Sequence, residues 1–330
     1  GDAHAFYSEG DYWWPNPEDP DGPYIRKDGE TNPANFIVHR QSMIRLSELI
    51  GTLVSAYLIT EEEKYARQAV AHLRAWFVEP KTRMRPSLLY GQAIKGKHTG
   101  RSIGIIDTLH LVEVARGAKI LCASPSFKPT DQMAVKAWFG DYLHWINSHV
   151  YGLKEKLHPN NHGVCWSLQA SAFADLVGNE EVLSWVRGQF KTVYLSGMMD
   201  EQGRFPAELK RTKPYGYSLF VIDAMAGVAQ IASSNKEDLW TFSTSDGKSM
   251  AKGMAFIYPF IIDKGSWPLK PDVMYWEDWP VRHPSLLFSG VRFGKPAYLN
   301  AWERLEADPQ TYEVLRNLPL RHPLLWVSPT

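Results

Sequence analysis

The chain has 330 residues, 44% of them hydrophobic and 22% charged, a balance that supports a full apolar core and excludes a disordered chain. Lys plus Arg and Asp plus Glu stand at 36 each, so no net field draws nucleic acid or an anionic membrane to the whole surface. An anionic ligand must be met by local cations, and the length suits one large domain, residues 1–330.

The first 40 residues are rich in Pro, Gly, Asp and Asn and include Trp13 and Trp14, which predicts an extended aromatic loop. Gly1-Asp2-Ala3-His4 has no basic segment followed by an apolar one and reads as the middle of a domain. From Ser42 helical spacing sets in, with Leu46, Leu49, Ile50, Leu53, Val54, Tyr57 and Leu58 on one stripe. Thr60 is expected to cap the next helix, whose positive end suits Glu61 to Glu63 and whose apolar face runs from Tyr65 to Phe77. A polar loop over 79–104 carries Tyr90, Gln92, Lys95, Lys97, His98 and Arg101.

Helices are then expected over 105–121, 131–149, 161–176, 180–194 and 218–233, with roughly two more between Trp240 and Ile262. The segment 264–330, with many Pro and Trp, is expected to wrap the helices. Strand-like alternation is scarce. No apolar run is expected to reach the ~20 residues that span a bilayer. Cys122 and Cys165 fall on different helices and are expected as separate thiols. Paired helices at a spacing of roughly 50 residues are the pattern of hairpins packed side by side, so the expected fold is all-α, an (α/α) toroid whose long loops form a substrate cleft.

Two segments carry chemistry. His158-Pro159-Asn160-Asn161-His162-Gly163 stands at a helix entry, where unpaired N–H groups and partial positive charge suit a carboxylate; plain capping by Asn160 or Asn161 accounts for it equally well. His158 and His162 have the i, i+4 spacing of metal ligands, but Pro159 breaks the helix between them and no HExxH motif follows, so no metal and no cofactor is expected. The second segment, 205–218, places Lys210, Arg211 and Lys213 within four residues, which also reads as a solvated charge run. Ser218 is expected to cap the following helix while Gly216 allows a tight turn, pinning Tyr217 at the mouth.

Together these parts suit β-elimination on a polyuronate. The carbon α to the carboxylate is a very weak acid, and its enolate is reachable only when positioned donors such as Asn, His and Arg neutralise the carboxylate and a tyrosine reaches the proton. The 13 Trp, 15 Tyr and 14 Phe are more than such a core requires and suit stacking on sugar faces, though extra packing explains them as well.

The pair Asn161-His162, followed 49 residues later by Arg211 and six beyond that by Tyr217, resembles the alginate lyase superfamily, most closely polysaccharide lyase family 38 and more distantly family 5. The stretches Gly10-Asp11-Tyr12-Trp13-Trp14-Pro15 and Pro20-Asp21-Gly22-Pro23-Tyr24-Ile25-Arg26 are similar to that group, and the likeness runs from Tyr12 to at least Ala226. In family 5 the arginine sits one residue further from the tyrosine, where this chain has Lys210, and the tyrosine is flanked by histidines absent from this chain. The resemblance implies a toroid in which Tyr217 is both base and acid, while Asn161, His162 and Arg211 hold the carboxylate and His162 shares proton transfer. It also implies one or two family helices ahead of residue 1.

A single tyrosine acting on both groups requires them on one face of the sugar, which selects β-D-mannuronate or β-D-glucuronate over α-L-guluronate. Trp13, Trp14, Tyr90, Trp276 and Trp279 are candidates for stacking on sugars, and Arg26, Gln92, His98, Arg101 and Lys213 for binding further carboxylates or hydroxyls. The expected partner is an anionic polysaccharide, with no nucleic acid and no membrane insertion, which favours a periplasmic or secreted protein. Two other classes stay open: a glycoside hydrolase using two of Asp11, Asp107, Glu208, Glu277 and Asp278, and a carbohydrate-binding protein without a base.

Overall fold

Helices dominate the computed structural model, which describes residues 2–327, and its strands are two to four residues long. The chain forms two compact units. One comprises residues up to Leu157, Ala172–Asn179 and the tail from His322; the other comprises His158–Ser171 and Glu180–Arg321.

In the first unit α1 (Val38–Thr60) packs on α2 (Glu63–Phe77) and α3 (Leu111–Leu121) through Met43, Ile44, Leu46, Ile50 and Val54. Leu49 and Leu58, expected on that stripe, are exposed. Thr60 ends α1 instead of capping α2: its hydroxyl donates to the Ala56 carbonyl at 2.8 Å, and Glu63 supplies the acid in the first turn of α2. The expected aromatic loop contains short ladders, β1 (Tyr7–Glu9) parallel to β4 (Tyr90–Ala93) and β2 (Trp13–Trp14) antiparallel to β3 (Ile25–Arg26). A 3-10 turn, Ser102–Thr108, replaces the start expected for α3. Beyond α4 (Pro129–Ser148) the extended backbone of His149 starts a further short helix, α5 (Val150–Lys156), with the His149 Nδ1 accepting the Tyr151 N–H.

Helix α6 (Asn161–Val177) contributes its first turns to the second unit, with α7 (Glu180–Gln189), a π-helical stretch Phe190–Met198, α8 (Pro206–Leu209) and α9 (Pro214–Ala232). Then come α10 (Met250–Ile262), α11 (Pro284–Arg292), α12 (Pro296–Arg304) and α13 (Tyr312–Arg316). One helix stands where two were expected before Ile262, and the tail carries three short helices instead of only wrapping the others. Helix α9 is the hub: α7, α8, α10 and α11 all pack on it, and nearly every residue is buried. By length and hydropathy α1 and α9 do reach the span of a bilayer, contrary to expectation, with 39% and 89% of their apolar windows buried. For α9 that enclosure accounts for its composition. Cys122 and Cys165 are not joined in a disulfide.

Candidate functional site

The two chemistry-bearing segments meet at the N-terminus of α6. Asn161 is its first residue and 3% exposed; its backbone N–H donates to Glu208 Oε1 at 2.9 Å and its Nδ2 to Glu208 Oε2 at 2.8 Å. Asn160 acts as the cap, its Oδ1 accepting the His162 N–H at 3.1 Å. The Glu208 carboxylate adds negative charge where the helix presents its positive end. Burial pushes the Glu208 carboxyl up, while the Asn161 hydrogen bonds and the charges of Arg211 and His162 pull the other way. Gly163 is required next door, because a Cβ there would come within 2.3 Å of the His158 carbonyl oxygen.

Three residues beyond Glu208, Arg211 turns back onto the first turn of α9. Its guanidinium carbon lies 4.4 Å from the Tyr217 ring centre, and one terminal nitrogen is 3.3 Å from the phenol oxygen. Tyr217 is 8% exposed. Cations so placed stabilise negative charge developing on that oxygen. Helix α9 begins at Pro214, four residues earlier than expected, so Ser218 does not cap it; its hydroxyl donates back to the Pro214 carbonyl at 2.7 Å. The capping group is Asp272, whose two oxygens accept the N–H groups of Tyr215 and Gly216 at 2.9 and 2.8 Å. Gly216 is helical instead of forming a tight turn: its role is to admit that carboxylate, since a Cβ would sit 2.8 Å from Asp272 Oδ2.

Lys213 does not present its charge to solvent. Its side chain is 4% exposed and ion-paired with buried Glu313, which also binds Arg316 at 3.2 Å, and its ammonium sits 5.3 and 5.5 Å from the Tyr217 and Tyr275 rings. Trp276 is half-buried, under the Lys264 ammonium and against Tyr215, while Trp279 is buried and stacked on His283. The His158 and His162 rings are 5.0 Å apart, and among the described residues no group of three or more His, Cys, Asp and Glu is placed to hold a metal ion.

The first unit has its own cluster. Trp13 pairs with Arg26 across β2 and β3, and Lys97 and Arg101 lie 4.9 and 5.6 Å from its ring. Arg101 donates to the Gln92 carbonyl at 2.8 Å and to Gln92 Oε1 at 3.1 Å, while Gln92 Nε2 donates to Asp107. Burial lowers Arg101 to about 10, leaving it cationic near neutral pH. Arg26 is exposed and paired with Asp28; His98 is exposed on the bridge to Ile94. Trp14 alternates to the opposite side of the ladder, its indole N–H on the Glu30 carbonyl and its ring under Lys27, and exposed Tyr90 lines a separate recess with Asp2 and Arg85.

The carboxylates considered for hydrolysis are otherwise engaged. Asp11 and Asp107 both bind the buried guanidinium of Arg40, Glu208 holds Asn161, Asp278 accepts from Thr311, and Glu277 is exposed beside Lys264. Sequence reasoning considered Glu208 only as a hydrolase carboxylate, missing its supporting role, and missed Asp272 and Glu313 altogether. Their partners lie 47, 57 and 100 positions away at the farthest, and no local motif announces such contacts.

The family model for alginate lyase matches residues 1–267. The crystal structure of an alginate lyase from Bacteroides ovatus is 31% identical, with a TM-score of 0.84 over 99% of this chain and 84% of that one. Alginate lyase A1-III from Sphingomonas species A1 is 16% identical, with a TM-score of 0.63 over 100% of this chain and 86% of that one. A histidine-to-alanine variant of A1-III, complexed with a tetrasaccharide, is 15% identical, with a TM-score of 0.63 over 91% and 79%. None of the curated proteins matches. The shared fold is the (α/α) toroid expected from the sequence. With the family model spanning most of its length and nearly a third of its residues shared with a solved member, the chain belongs to the alginate lyase family of polysaccharide lyases.

Proposed function

We propose that this chain cleaves a β-1,4-linked polyuronate, poly-β-D-mannuronate or glucuronan, by syn β-elimination. The observation that carries the reading is Glu208, which bonds Asn161 and stands three residues from Arg211; it supports taking the Asn161-His162 pair and the Arg211–Tyr217 pair together as one site. Asn161, His162 and Arg211 neutralise the uronate carboxylate, favouring the enolate. The Tyr217 phenolate, supported by Arg211, removes the C5 proton. The C5 electron pair forms the C4–C5 double bond as the C4–O bond breaks. The phenol then gives its proton to the departing oxygen, which stays on C1 of the preceding sugar, and the phenolate is restored. The tetrasaccharide complex of A1-III supports an oligosaccharide ligand for this fold. Trp13, Arg26, Gln92, His98, Arg101 and Trp276 are proposed contacts to further sugars. Polymers of this kind are met outside the cytoplasm, so we place the protein in the periplasm or outside the cell.

The test follows ultraviolet absorbance of unsaturated uronate with poly-mannuronate, poly-guluronate and glucuronan, wild type beside Tyr217→Phe. A rise on mannuronate or glucuronate polymer, reduced at least about 10³-fold in the variant, is expected. Absence of any rise on all three polymers rejects the assignment.

A further inference from the structure

We infer that Glu208 is the positioning residue that fixes which end of the Asn161 amide faces the reacting sugar. The inference rests on the proposed role of Asn161 as a donor to the substrate carboxylate.

A primary amide has two faces of opposite polarity related by a half-turn, and only one directs N–H toward an anionic ligand. Glu208 removes the choice. Its Oε1 accepts the Asn161 backbone N–H and its Oε2 accepts one Nδ2 hydrogen. Turning the amide over would set Oδ1 against a carboxylate oxygen, two acceptors in contact with no proton between them. The Nδ2 group retains a second hydrogen, and that hydrogen is the one available to a substrate carboxylate.

The location is costly unless it serves a purpose. Glu208 is 1% exposed, and an ionised carboxylate that deep is stabilised chiefly by the two donors of one residue. A glutamine would fill the same volume without a buried charge, yet its NH2 would face either the Asn161 backbone N–H or the Asn161 Nδ2. One hydrogen bond would be lost, or the Asn161 amide would turn over. Glu208 also ties the two halves of the site together, because its carbonyl accepts the Arg211 N–H at 3.1 Å while its side chain holds Asn161.

The plain alternative is a cap that stabilises α6 and nothing more, and a double-mutant cycle separates the two. Wild type, Glu208→Gln, Asn161→Ala and the double variant are assayed for kcat, KM and thermal midpoint on the polymer that wild type cleaves. Glu208→Gln is expected to lower kcat by about 10–100-fold with KM within about threefold, since the donor matters most as charge develops in the enolate. Within Asn161→Ala the same change is expected to cost no more than about twofold, because nothing remains to be positioned. A cap would lower the thermal midpoint and add its effect in both backgrounds. Wild-type kcat in Glu208→Gln, or full additivity in the double variant, overturns the role of Glu208. Wild-type turnover in Asn161→Ala overturns the proposed role of Asn161 itself, and with it this one. Should Glu208→Gln not fold, the cycle is run with Glu208→Asp, which keeps the charge and shortens its reach; the same two outcomes decide.

Discussion

Around Tyr217 the decisive groups are carboxylates that never touch a sugar in the proposed mechanism. Asp272 holds the first two free N–H groups of α9, and Gly216 leaves it room. Gly216→Ala puts a methyl into a space already filled by an oxygen that two hydrogen bonds keep in place. It is expected to cost about 1–3 kcal/mol of stability and to lower kcat more than it raises KM, because Tyr217 is the next residue. Thermal denaturation beside steady-state kinetics checks both, and an unchanged variant would mean that Asp272 has room to move. Lys213 makes the contrasting case. Lys213→Met takes an ion-pair partner from the buried Glu313 carboxylate, so its main effect is expected in stability, about 3 kcal/mol, measured by urea unfolding. A rise in KM with unchanged stability would instead restore Lys213 to direct substrate binding.

Among the elements, the tail shows how a terminal segment is fastened. Glu113 of α3 is fully buried and accepts the His322 backbone N–H at 3.0 Å, pairs with the His322 ring at 2.6 Å and accepts the Trp326 indole N–H at 2.8 Å. Burial pushes this carboxyl up, but His322 and Trp326 outweigh it and hold it below the ordinary 4.5. A carboxyl depressed in the fold contributes stability that is fully present above its unfolded value and is lost as pH falls through the folded one. Glu113→Gln is therefore expected to cost about 3 kcal/mol at neutral pH, with the gap to wild type closing as pH drops below 4.5. A gap that stays constant down to the acid transition would show that the pairing is not ionic. The longer helices were legible because apolar spacing recorded them, and α6 and α7 start where expected. The starts of α4 and α9 were missed, as were α8, α11 and α12 altogether, and at each of these a proline opens the helix. Pro129, Pro206, Pro214, Pro284 and Pro296 each stand in the first turn of a helix, where a missing N–H costs nothing, although in sequence they read as loop. The site residues Asn161, His162, Arg211 and Tyr217 were legible through a family resemblance, whereas the partners that orient them come from distant segments.

At the scale of the whole molecule, equal numbers of cations and anions mean that no long-range field gathers a polyanion, so recognition depends on individual side chains. These differ in exposure, and salt should separate them. Arg26 is 55% exposed at its side chain and already shares its charge with Asp28. Arg211 is half-buried against Tyr217. If both meet uronate carboxylates, Arg26→Gln should raise KM about two- to fivefold at low ionic strength and have little effect near 0.5 M salt, where the Debye length is only about 4 Å. Arg211→Gln should lower kcat by about 10²-fold or more at either salt, because its guanidinium lies directly against the buried Tyr217 ring and phenol oxygen. The measurement is kcat and KM for each variant across a salt series on the cleaved polymer. A salt-independent defect in Arg26→Gln would point to lost β2–β3 structure instead of lost binding, and a salt-rescued Arg211→Gln would remove Arg211 from the proton-transfer step and leave it as a docking charge.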